Sequence, residues 1–182
     1  MSQLRSFAPW IAYPLASALF GWQTGSAVAL GLCVVGVLRD GRPAAAEPLR
    51  VAALVLFAVL TASALADPAS ALHRFVPALI PATLAVAAVA SIAMSQPFTI
   101  AFAKRVAPRE FWDTALFMRI NVVLSAVWAT SFAVTAAILA ISLEAAPHDV
   151  AILIGVQVAG FVVPLRITRW YPAKARARYA GV

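Results

Sequence analysis

Residues 6–38 read SFAPWIAYPLASALFGWQTGSAVALGLCVVGVL, and none of them carries a charge. As one helix this stretch would run roughly 50 Å, at about 1.5 Å per residue. A bilayer core is only about 30 Å thick, so a single helix would overshoot it. The run needs a break, and Gly21-Trp22-Gln23-Thr24-Gly25 supplies one, with two glycines, a polar pair and Thr24 as an N-cap. The spacing predicts a short helix over about 7–20 and a second over about 25–38. Pro9 and Pro14 make the first a kinked, tilted or re-entrant segment. A cleavable leader is the rival reading, with Arg5 ahead of an apolar core and Ala27-Val28-Ala29 as the cleavage site. The expectation taken forward is that the segment is retained as structure.

The same pattern repeats along the chain. Apolar spans are expected at about 51–66, 75–94, 120–143 and 150–167, separated by polar or proline-containing loops and followed by a basic tail over 168–182. Hydrophobic residues make up 63% of the 182 and charged ones 12%. Soluble domains run nearer 45–50% and about 25%, so a soluble globular enzyme is excluded, and so is disorder. The fold class is all-α: one transmembrane domain over 1–182, a helical bundle of about six spans with a short, broken first helix. Residues 96–119 mix Lys104, Arg105, Arg109 and Arg119 with Phe98, Phe102, Phe111 and Trp112. Too polar to span and too aromatic for a solvated loop, they predict two short interfacial helices between spans four and five. The second would start at Pro108 and place Phe111, Trp112, Ala115 and Leu116 on one face.

Charge sets the orientation. With six crossings and the N-terminus inside, every one of the 14 basic residues except Arg74 falls on the inner side. That asymmetry places both termini on the cytoplasmic side of the membrane. It accounts for the net charge of +7 without a nucleic-acid partner. Five crossings would move only Arg5 outward; the Gly21–Gly25 break favours six.

Signatures of chemistry are sparse. There is no nucleophile elbow, zinc-protease helix or phosphate loop, and no acidic residue within a span. Cys33 is a lone thiol in an apolar run, and His73 and His148 are loop residues too few for a metal site. No catalytic residue, cofactor or metal is expected. The intramembrane amides Gln23, Gln96, Asn121 and Gln157 read as interhelical hydrogen-bonding groups or as the lining of a substrate or lipid cavity. Arg105, Arg109 and Arg119 beside Phe111 and Trp112 read as positive-inside anchors or an anionic-lipid contact. Alanine-rich stretches such as residues 82–91 allow close helix packing or a homodimer. The two halves show no convincing inverted repeat, so a transporter is permitted but not indicated.

The layout resembles the bacterial intracellular septation protein A family. The residues that carry the resemblance are Phe7-Ala8-Pro9, the break and apolar run ending in Arg39, Pro48-Leu49-Arg50, Ser95-Gln96-Pro97-Phe98, Phe111-Trp112, and Arg119-Ile120-Asn121 leading into Ala126-Val127-Trp128. The family is often drawn with five crossings, against six read here. The resemblance implies a non-catalytic role in envelope maintenance and septation through lipid or membrane-protein contacts. It marks Gln96, Trp112, Asn121 and Trp128 as functional positions and transfers no catalytic residue. The alternatives are a small transporter or lipid-translocating protein, or a small subunit of a larger membrane complex.

Overall fold

The computed structural model describes residues 8–40, 47–145 and 150–180. Among them every regular element is helical: α1 (Ala8–Phe20), α2 (Trp22–Asp40), α3 (Pro48–Ala66), a 3-10 turn (Ala71–Phe75), α4 (Val76–Ala93), α5 (Ile100–Val106), a second 3-10 turn (Arg109–Phe111), α6 (Ala115–Ala145) and α7 (Val150–Ala180). Five of these, α2, α3, α4, α6 and α7, are long and apolar enough to cross a membrane. The 13 residues of α1 reach only about 20 Å. Arg5, Arg42, His148, Asp149 and the last two residues of the basic tail lie outside the described residues.

Packing follows chain order, with α4 against α6 at the centre. Phe57 of α3 is fully buried at the main apolar cluster. The rings of Trp10 and Tyr13 reach it from α1, at centroid distances of 5.5 and 5.6 Å. Leu139 and Leu143 of α6 meet Ala78 of α4 in a second cluster. The outermost long helix, α7, rests on α6.

The break in the first apolar run is narrower than expected. Gly21 alone makes the turn, at φ +85°, and α2 starts at Trp22, three residues earlier than the predicted start at 25. A positive φ costs a side-chain-bearing residue roughly 1 kcal/mol or more, so glycine occupies the corner. Gly25 is then a contact residue, where a Cβ would meet Ser17 Oγ at 2.0 Å.

The interfacial segment also differs. It holds one seven-residue helix, α5, and then a 3-10 turn of three residues in place of a second helix. The cause is a competing start. The Thr114 hydroxyl accepts from Phe117 N (3.2 Å) and donates to Phe111 O (2.8 Å), so α6 begins at Ala115, five residues earlier than the predicted span. Pro108 sits before the 3-10 turn as its cap. The predicted common face does not form: Phe111 is exposed, whereas Leu116 belongs to α6 and packs beside Ile120 and Leu124. The basic tail is helical to Ala180 as a continuation of α7. Its alternating Ala, Lys and Arg are good helix formers, and Ala175 is buried against Ile120 and Leu124.

The helices alternate in direction, which separates two ends. At one, Gln23 Nε2 donates to Pro68 O (3.2 Å), Trp22 stacks on His73 and Arg74 donates to Leu143 O. The other gathers Arg39, Glu47, Arg50, the segment from Ser95 to Thr114, and Lys174 and Arg176 of α7.

Candidate functional site

The site is built where the chain leaves α4 and re-enters the bundle. Ser95 follows the helix at φ +55°, the one described non-glycine residue with positive φ. That corner turns Pro97 inward, where it is fully buried. The turn is held by hydroxyl groups. Ser91 Oγ donates to Ala88 O (2.7 Å) and accepts from Phe98 N (3.1 Å), while Gln96 N donates to Ser91 O (2.9 Å). Thr99 Oγ1 then donates to Asn121 O (3.0 Å) and lies 3.0 Å from Ser125 Oγ. The Asn121 side chain is 1% exposed and donates from Nδ2 to Phe117 O (2.8 Å). Ser91 thus ties the 94–99 turn to α4, and Thr99 and Ser125 tie it to α6, each hydroxyl satisfying backbone groups that the bilayer could not solvate.

Above this turn lies a cleft of about 420 Å³ between the start of α3, the turn, α5 and α6. Leu49, Phe98, Phe102 and Met118 give it apolar walls, and Ser95, Gln96 and Lys104 give it a polar rim. Glu47 also lines it, and Arg50, buried to 5% exposure, holds that carboxylate at 3.3 Å. The Lys104 ammonium lies 4.9 Å from the centre of the Trp112 ring, and the Arg109 guanidinium lies 5.6 Å from the same ring. The indole is fixed by its Nε1 donating to Ala107 O (3.0 Å). Arg105 is exposed on the same short helix.

Of the residues singled out in the sequence, Gln96, Arg105, Arg109 and Trp112 therefore gather at one end of the bundle, with Asn121 in the polar node beneath them. The others lie elsewhere. Gln23 is at the opposite end, in the first turn of α2 and bonded to the loop after α3. Gln157 is half-buried in α7. Trp128 joins α6 to α7: its Nε1 donates to Thr168 Oγ1 (3.0 Å), and its ring packs with Phe132 and Phe161. Of the four amides, Gln96 alone lines the cleft. Among the described residues no three potential metal ligands come together.

Sequence reasoning missed Lys104 as the lining cation and the Ser91–Thr99–Ser125 node. Part of the signal for the node was present, since Ser91 and Thr99 stand on either side of Pro97, but nothing in the spacing links them to Ser125, 26 residues beyond Thr99. No family model, curated protein or solved structure matches the chain.

Proposed function

We propose that this is a bacterial inner-membrane protein that works through contacts with anionic lipid, and through lipid with other membrane components, rather than through catalysis. In this reading it crosses six times, with its basic end in the cytoplasm. The observation that carries the reading is the grouping of Lys104 and Arg109 on Trp112, with Arg105 exposed on the same short helix, at the level where α4 ends and α6 begins. Cations held on an indole at a helix terminus sit where lipid phosphates lie. The resemblance noted in the sequence adds a role in envelope maintenance and septation. The transporter alternative draws less support, because Gln96 alone of the four amides lines the cleft and Gln23 is bonded at the opposite end.

The test is lipid analysis of the protein excised from its own membrane in polymer nanodiscs. The expected result is enrichment of anionic over zwitterionic phospholipid relative to bulk membrane, reduced in the Arg105→Ala plus Arg109→Ala variant. A lipid composition equal to bulk, unchanged by the variant, would count against the reading.

A further inference from the structure

We infer that the cleft beside α5 is a stoichiometric binding site for one anionic phospholipid, with the phosphate on Lys104 and the rim and an acyl chain along the apolar wall. The inference rests on the lipid-contact reading and goes beyond it. A basic surface attracts a diffuse population of lipids, whereas a cleft holds one.

Three features of the cleft support this. Its volume of about 420 Å³ is in the range of small-ligand sites, large enough for a glycerophosphate group and the first part of a chain. Its two sides differ in chemistry. Leu49, Phe98, Phe102 and Met118 form an apolar wall, and Ser95, Gln96 and Lys104 present hydroxyl, amide and ammonium groups. A free phosphate would use only the second side, so the full surface fits an amphiphile. Charge completes the argument. The one acid of the lining, Glu47, is engaged by Arg50 at 3.3 Å, which leaves Lys104 as the cation facing a ligand. Arg109, on the same Trp112 ring, adds to the positive field. The site lies where α4 ends and α6 begins, the depth at which a phospholipid changes from chain to phosphate. Ser95, held at φ +55°, is part of that rim. Strained backbone of this kind is often retained at ligand sites.

The experiment is native mass spectrometry of the full chain in mild detergent, with phosphatidylglycerol and phosphatidylcholine supplied separately. Phosphatidylglycerol should give one retained adduct per chain and phosphatidylcholine none. Lys104→Ala should weaken retention about tenfold, as expected for loss of one charge-assisted contact. Ala101→Phe fills the cleft and alters no charge, because Ala101 lines it. This variant should lose the adduct yet keep the anionic enrichment of the surrounding lipid in nanodiscs. An adduct surviving in Ala101→Phe, or a ladder of many weak adducts in the wild type, would overturn the site and leave the broader reading standing. Loss of nanodisc enrichment in the wild type would overturn that reading itself. Glycerol phosphate supplied alone should not bind measurably. If it bound as tightly as the lipid, the ligand would be a soluble phosphate and the amphiphile assignment would fail. A thermal melt of each variant separates loss of the site from loss of the fold.

Discussion

Pro164 shows how a single residue creates a need that the fold answers. Proline has no N–H, so within α7 the carbonyl of Gly160, four residues earlier, loses its helical donor. In water a solvent molecule would replace it, but in a bilayer another protein group must. Ser131 Oγ of α6 donates to Gly160 O at 2.8 Å. The same approach leaves no space at Gly160, where a Cβ would lie 2.2 Å from Thr135 Oγ1. The proline, the glycine and the serine therefore form one unit that seats α7 on α6. Ser131→Ala should destabilise the bundle by about 1 kcal/mol, typical for an interhelical hydrogen bond in a membrane. In a Pro164→Ala background, which returns an N–H to position 164, the same change should cost nearly nothing. Reversible unfolding in mixed micelles measures both, and equal costs in the two backgrounds would refute the coupling. The sequence shows Pro164 and Gly160 four residues apart, but not which helix supplies the hydroxyl, because that depends on the pairing of α6 with α7.

At the scale of elements, the apolar runs were legible and their ends were not. Run length and charge locate a span, since few charges are tolerated over about 20 residues in hydrocarbon. Ends depend on which cap wins. Thr114 starts α6 five residues before the span read at Ile120, and Ala175 draws the tail into α7 by packing against Ile120 and Leu124. The α1–α2 corner was legible as a break but not as a one-residue turn. Two substitutions test these corners with opposite signs. Gly21→Ala places a Cβ at φ +85° and should cost roughly 1 kcal/mol, read as a lowered melting temperature. Ser95→Gly relieves φ +55° and should raise stability by roughly 1 kcal/mol, while removing a hydroxyl from the cleft rim. A more stable Ser95→Gly protein that retains less phosphatidylglycerol would tie the strained corner to binding. If Ser95→Gly melted lower than wild type, the strain argument would be wrong.

For the whole molecule, charge asymmetry was readable from the sequence, whereas the gathering of cations around one cleft was not. Counting Lys and Arg per loop needs no structure, but placing Lys104 and Arg109 on the same indole requires the 3-10 turn that replaced the expected helix. The alternation of helices gives a topology that chemical labelling can read. Ala69 is exposed in the turn after α3, at the end holding His73 and Arg74, and Asp113 is exposed at the basic end. Cys33 is the one cysteine in the sequence and is 3% exposed, so a Cys33→Ala background is suitable for new labels. In intact cells an impermeant maleimide should label Ala69→Cys, and should reach Asp113→Cys only after the membrane is opened. The reverse pattern would invert the protein and leave the cleft facing the wrong leaflet for the proposed role. Gln3→Cys then decides the number of crossings. The 13 residues of α1 span about 20 Å of a core near 30 Å, a mismatch that local thinning or tilt of the bilayer can absorb. The α1–α2 hairpin still turns at the same end as Pro68, because Gln23 is bonded there. Six crossings therefore require Gln3→Cys to behave like Asp113→Cys. Labelling of Gln3→Cys from outside would reduce the count to five.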